Sequence, residues 1–176
     1  MKKIFYGRAV YNQLEINAVN KVLKEESLTL VDGKNVKKLE KVVSNIFGKR
    51  YALMVNSGSS ANLLALSSLS LKKGTEVITP TLTFSTTVAP IYQLGLIANF
   101  VGVLENKFIV NPEQIEKAIN KNTSAIMIPN LLGNIPDWKQ IHKIAKRRNI
   151  PIIEDSADTI GYTLNKKNTG RLSDIV

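Results

Sequence analysis

Between Asn56 and Asn62 the chain reads Asn-Ser-Gly-Ser-Ser-Ala-Asn, a cluster of small hydroxyl and amide residues. The apolar run Tyr51–Val55 precedes it, and Leu63, Leu64 and Leu66 follow. The run reads as a buried strand that breaks at Gly58, and the leucines give a helix its apolar face. A strand turning through small residues into a helix leaves several backbone N–H groups unpaired at the helix start. Those donors, the positive end of the helix dipole and the Ser hydroxyls make a seat for a phosphate. A plain helix cap is the competing reading of the same serines. A second cluster, Ile152-Ile-Glu-Asp-Ser-Ala-Asp158, sets acids at the end of another apolar run. Between the two lies Thr83-Phe84-Ser85-Thr86, an aromatic ring among hydroxyls.

The elements that must position these residues alternate regularly. Asn12-Gln-Leu-Glu15 resembles a capping box opening a helix with Ile16, Val19 and Leu23 on one face. A second amphipathic helix carries Val36, Leu39, Val43 and Ile46 or Phe47, and Gly48 stops it. Strands are expected at Tyr51–Val55, Glu76–Thr79, Leu96–Val101, Ser124–Ile128 and Ile152–Ile153. Helices are expected after Gly58, from about Thr86 to Leu94, after Asn111-Pro112, and from Asp137 to a point before Pro151. This βαβα rhythm predicts an α/β fold, a three-layer sandwich with a mainly parallel sheet covered on both faces. Ligands in such sheets sit beyond the carboxyl ends of the strands, where the polar clusters fall. No repeat, low-complexity tract or linker divides the chain, so a single domain is expected.

Composition narrows the function. The 176 residues are 44% apolar, ordinary for a globular domain, and contain no cysteine, which excludes disulfides and thiolate metal sites. No apolar run is long enough to span a membrane, and Met1-Lys-Lys-Ile-Phe-Tyr6 lacks the core of a signal peptide. A cytoplasmic protein is the expectation. The net charge of +10 comes from lysines scattered along helices, with one short cluster at Lys143, Lys146, Arg147 and Arg148. Nucleic-acid binding calls for a dense basic face with interleaved aromatics, and that pattern is missing. Neither Gly-x-x-x-x-Gly-Lys-Ser/Thr nor Gly-x-Gly-x-x-Gly occurs, which argues against a P-loop ATPase and a Rossmann dehydrogenase.

The remaining parts suit pyridoxal phosphate. That cofactor needs an anchor for its phosphate, a ring to stack on its pyridine and an acid at its ring nitrogen. The acid keeps the nitrogen protonated so that the ring acts as an electron sink. Each residue also has a plainer reading. Phe84 suits core packing, Asp155 a cap or a structural pair, and Asp158 either a cofactor contact or a cap. Asn130 reads as a loop cap, His142 as a surface residue, Trp138 as packing, and Lys166 and Lys167 as part of a surface turn.

The pattern Asn56-Ser-Gly-Ser-Ser-Ala-Asn-Leu-Leu-Ala65, Thr83-Phe84-Ser-Thr86 and Glu154-Asp155-Ser-Ala-Asp158 resembles the DegT/StrS-type sugar aminotransferases. The resemblance extends from about Tyr6 to Asp174. It implies the large domain of a fold-type-I pyridoxal-phosphate transferase, acting on a nucleotide-linked keto sugar in polysaccharide biosynthesis. Residues 1–176 would be an N-terminal arm and the first part of that domain, without the C-terminal domain. Gly58, Ser59 and Ser60 would hold the phosphate, Phe84 would stack, Asp155 would pair with the ring nitrogen, and Asp158 would lie near the cofactor hydroxyl. Most aminotransferases of the family have Gln in place of Asp158. Asp there, with Asn56-Ser-Gly-Ser-Ser-Ala-Asn62 and Asn130-Leu-Leu-Gly-Asn134, looks more like the branch of nucleotide-sugar 3-dehydratases, which use pyridoxamine phosphate. The Lys of the Schiff base, or the His that replaces it in that branch, would follow the segment matching Gly170–Asp174, beyond Val176. The resemblance also implies a homodimer, with residues Tyr6 to Asn12 reaching the partner. Amino transfer is thus the broader expectation, with 3-dehydration or a non-catalytic member of the fold as alternatives.

Overall fold

A computed structural model describes residues 7–25, 30–31, 33–164 and 167–176. Tyr6, Asn165 and Lys166 therefore lie outside the described residues, together with the readings placed on them. The chain divides into two compact units, Met1–Leu39 and Glu40–Val176.

The first unit contains helix α1 (Gln13–Glu25) and the start of α2 (Lys34–Phe47). The capping box forms as its residue types dictate. The Leu14 N–H donates to Asn12 Oδ1 at 2.7 Å, and the Asn12 N–H donates to Glu15 Oε2 at 2.7 Å. No residue of α1 is buried, and Leu14, Ile16, Val19 and Leu23 are all exposed.

The second unit is built on a parallel sheet of β1 (Glu76–Pro80), β2 (Ile97–Val101), β3 (Thr123–Pro129) and β4 (Ile152–Asp155), in the order β2-β1-β3-β4. Its helices are α3 (Gly58–Ser68), α4 (Ser85–Gln93), α5 (Pro112–Ala118) and α6 (Trp138–Arg148). Strand side chains alternate between two faces, and both faces are apolar here. Ile78, Ile126, Ile128 and Ile152 pack with Ile115 of α5 and Ile141 and Ile144 of α6. Val77, Ala125, Met127 and Ile153 pack with Leu66 of α3 and Ile91 of α4. The expected three layers are present.

Local signals set the helix ends. Asn111 Oδ1 accepts from the Glu113 N–H at 3.0 Å, with Pro112 at the first helical position. Asp137 Oδ1 accepts from the Gln140 N–H at 3.0 Å, and Asn149 closes α6 in the left-handed region. The basic cluster ends α6, where cations favour the helix dipole, and Arg147 Nη2 pairs with Glu116 of α5 at 2.8 Å.

One expected element is absent. Tyr51–Val55 forms no strand, and Tyr51 and Leu53 are 81% and 77% exposed. An apolar run becomes a strand only with a ladder partner, and this one has none among the described residues. The outer side of β4 is met instead by Ile175, in a parallel bridge to Ile153. The Met54 N–H is tied down by Glu40 Oε1 at 2.8 Å. A hairpin of β5 (Thr163–Leu164) and β6 (Lys167–Asn168) and a 3-10 turn at Leu131–Gly133 were not expected.

Candidate active site

The phosphate-seat segment opens a helix as the sequence predicts. Ser57 is the N-cap of α3 in an extended conformation, and its Oγ accepts from the Ser60 N–H at 3.1 Å. The Ala61 N–H turns back to the Ser57 carbonyl at 3.0 Å. The Ser60 N–H is therefore already engaged, so the first turn offers the N–H groups of Gly58 and Ser59 and the hydroxyls of Ser59 and Ser60. A Cβ at Gly58 would meet nothing within 4 Å, so the turn is open to an incoming group. Ser59, Ser60, Leu63 and Thr86 line a hollow of about 190 Å³ between α3 and α4.

Phe84 is the N-cap residue of α4 and is 67% exposed. A ring in the core would be buried, so this one is free to stack on a ligand. Asp155 ends β4, and its side chain leaves the sheet on the face covered by α3 and α4. Its Oδ2 accepts from Asn62 Nδ2 at 2.9 Å and from Thr87 Oγ1 at 2.8 Å. Asn62 stands three residues after Ser59 on α3, and Thr87 three after Phe84 on α4. Both helices that present the expected ligand contacts are thus bolted to the same carboxylate. Asn62 and Thr87 were not singled out in the sequence. The available signal was a polar residue one turn ahead of a buried apolar one, Asn62 before Leu66 and Thr87 before Ile91.

Asp158 is exposed, and its Oδ2 accepts from the Leu132 N–H at 2.8 Å. Leu132 sits in the left-handed region (φ 53°), which a side chain rarely adopts without such a hold. Asp158 and the Asn130–Asn134 segment, separate features of the sequence, are one hydrogen-bonded unit.

The neighbouring Glu154 points to the opposite face and is 1% exposed. Its Oε1 accepts from Asn130 Nδ2 and Ser156 Oγ, both at 2.8 Å, and its Oε2 from the Gly170 N–H at 3.0 Å. Asn130 also donates to Thr159 Oγ1 at 3.0 Å and accepts from Trp138 Nε1 at 2.9 Å. Asn130 is therefore a buried joint, more than a loop cap, and Trp138 combines packing with a hydrogen bond. His142 is half-buried, not a free surface residue, with Nδ1 2.8 Å from the Leu172 carbonyl. Lys49 is half-buried too, and its Nζ donates to the Ser173 carbonyl. Desolvation lowers its ammonium below the ordinary value, against the opposing charges of Glu154 and Asp174.

An open helix start with hydroxyls, an exposed ring and a carboxylate with one little-used oxygen fit a phosphorylated pyridine. Oδ1 of Asp155 has, among the described residues, only the Ala157 N–H, at 3.3 Å. Among the described residues no group of His, Cys, Asp and Glu could hold a metal.

The model of the DegT/DnrJ/EryC1/StrS aminotransferase family matches residues 10–176. The GDP-4-keto-6-deoxy-D-mannose 3-dehydratase of Escherichia coli O55:H7 is 38% identical over 168 residues, covering 92% of this chain and 43% of that protein. The 3-oxo-glucose-6-phosphate:glutamate aminotransferase of Bacillus subtilis is 32% identical over 160 residues, covering 91% of this chain and 35% of that protein. A solved structure of an E. coli GDP-4-keto-6-deoxy-D-mannose-3-dehydratase with bound hydrated PLP superposes with a TM-score of 0.85 at 37% identity, covering 93% of this chain and 43% of that one. The chain spans less than half the length of these relatives.

Proposed function

Because the chain belongs to the DegT/DnrJ/EryC1/StrS aminotransferase family, we propose that it supplies the cofactor-holding part of an enzyme that uses pyridoxal or pyridoxamine phosphate on a nucleotide-linked keto sugar. The observation that carries this reading is the convergence of α3 and α4 on Asp155, through Asn62 and Thr87. When bound, the cofactor supplies an electron sink for breaking bonds next to a carbonyl carbon. The open turn at Gly58, Ser59 and Ser60 would anchor the phosphate, with Phe84 flat against the ring. Asp155 would hold a proton on the ring nitrogen through Oδ1, since a carboxylate and a pyridinium each favour the charged form of the other. Asp158 would stand near the cofactor hydroxyl while keeping Leu132 in place. A non-catalytic member of the fold would have no need of all three cofactor contacts together.

Within the family, removal of the sugar 3-hydroxyl is the reading best supported. The E. coli and Yersinia pseudotuberculosis relatives at 38% and 36% identity are both GDP-4-keto-6-deoxy-D-mannose 3-dehydratases. The bond between Asp158 and Leu132 joins two of the three features that resemble that branch. Amino transfer is the second reading, supported by the Bacillus relative. A cytoplasmic homodimer belongs to the same proposal. Its supports are the exposed apolar face of α1 and the lack, among the described residues, of any helix long and apolar enough to cross a membrane.

The test uses the chain with the remaining length that its relatives have, supplied with a GDP-linked 4-keto-6-deoxy sugar and pyridoxamine phosphate. A 3-deoxy product is expected; an amino sugar would select transfer, and neither product would overturn the reading. In that enzyme, Asp155→Asn should keep phosphate-anchored binding but lower turnover by about a hundredfold or more, because an amide cannot hold the ring proton. Near-normal turnover would remove Asp155 from this role.

A further inference from the structure

We propose that Asn62 and Thr87 are positioning residues for the acid that faces the cofactor. By gripping Oδ2 of Asp155, they present Oδ1 to the ring nitrogen. This inference rests on the reading of Asp155 given above.

Two donors converge on one oxygen, at 2.9 Å from Asn62 Nδ2 and 2.8 Å from Thr87 Oγ1. Thr87 is fully buried and Asn62 is 8% exposed, so water competes little for either bond. The amide of Asn62 also donates to the Thr86 carbonyl at 3.3 Å, which fixes its orientation against α4. Among the described residues, Oδ1 receives a single long contact, from the Ala157 N–H. The carboxylate cannot turn about its Cβ–Cγ bond without breaking both short bonds, so its less occupied oxygen keeps one direction.

The chemistry of the donors also fits the role. An amide and a hydroxyl orient a carboxylate without cancelling its charge. A guanidinium would orient it as well, but would neutralise the charge that keeps a proton on a pyridine nitrogen. None of Asp155's hydrogen-bond partners among the described residues is a cation.

The experiment is an NMR titration of the 176-residue chain with pyridoxamine phosphate and with its deaza analogue, in which C–H replaces the ring nitrogen. Pyridoxamine phosphate has no aldehyde, so lysine adducts do not interfere. Affinity for the analogue reports the phosphate seat and the stacking ring. The preference for the nitrogen-bearing ligand reports the contact with Asp155. In the wild-type chain the preference should be present, and Asp155→Asn should erase it. Thr87→Val and Asn62→Leu should each cut the preference about tenfold, the size expected for losing one hydrogen bond to a charged group. Affinity for the analogue should stay unchanged in both, and Thr87→Ser should retain the wild-type preference. If Thr87→Val and Asn62→Leu leave intact a preference that Asp155→Asn erases, the positioning role is wrong and the reading of Asp155 stands. Equal weakening of both ligands would make Asn62 and Thr87 merely structural and would also overturn the proposal. A preference that is missing in the wild type, or that survives Asp155→Asn, overturns the reading of Asp155 itself. Should Asn62→Leu fail to fold, Thr87→Val, which keeps the shape, and Thr87→Ser, which keeps the hydroxyl, decide alone.

Discussion

Adjacent residues on β4 separate two jobs. Glu154 and Asp155 differ by one methylene, yet the pleat sends them to opposite faces of the sheet. Glu154 accepts three hydrogen bonds of 3.0 Å or less, shared over both oxygens, inside the α5/α6 layer, whereas the described partners of Asp155 leave its Oδ1 with one contact of 3.3 Å in the α3/α4 layer. Replacing Glu154 by Leu should cost about 3 kcal/mol or more, because Asn130, Ser156 and the Gly170 N–H would lose their acceptor in a dry environment. Urea unfolding measures this, and a loss below about 1 kcal/mol would mean that those donors find other partners. Phe84 sits at the opposite extreme. With its ring exposed, Phe84→Leu should leave the unfolding midpoint nearly unchanged while weakening pyridoxamine phosphate binding by about threefold to tenfold, the range of an aromatic stacking contact. A fall in stability without a change in binding would return Phe84 to the role of a packing residue.

Element by element, legibility in the sequence followed the range of the determining interactions. Helix ends were legible because their causes are local: Asn12 and Glu15, Asn111 and Pro112, Asp137, and Gly48 act within a turn of themselves. Tyr51–Val55 was misread because a strand depends on a neighbour, and apolar composition alone does not supply one. Asn62 and Thr87 were not found because their partner lies 93 and 68 residues away. A polar residue on a helix does not announce what it will face across such distances. The capping box also carries a pH dependence of known sign. The Asn12 N–H, and then Glu15's own N–H, hold the Glu15 carboxyl below its ordinary 4.5. Its contribution to α1 is therefore present above that value and lost as pH falls through the depressed one. Helicity of residues 13–25, read from Cα chemical shifts, should decline on acidification below pH 4.5 in the wild type. Glu15→Gln should make that segment less responsive. An equal decline in both would place the acid sensitivity elsewhere.

At the scale of the whole molecule, the question is what a chain spanning less than half the length of its relatives can do alone. The described site contains groups that bind and orient, but no lysine among the described residues hydrogen-bonds to Asp155, Asn62 or Thr87. Lys49 has the features of a nucleophile, since burial favours its neutral amine. Its place is wrong, however. Its Nζ is held on the Ser173 carbonyl, beside Glu154 and Asp174, whereas Asp155 leaves the sheet on the other face. An amine reaches a cofactor aldehyde only if its tether starts nearby, and geometry precedes reactivity in such a step. The 176-residue chain should therefore give no single-site lysine adduct with pyridoxal phosphate and no turnover. Whatever cofactor it holds should be held weakly, through the phosphate seat, Phe84 and Asp155. Incubation with pyridoxal phosphate, borohydride reduction and peptide mapping should yield only low, scattered modification of surface lysines. Stoichiometric labelling of one lysine would show that the chain carries its own reactive amine, and labelling of Lys49 in particular would refute the separation of the two faces of β4.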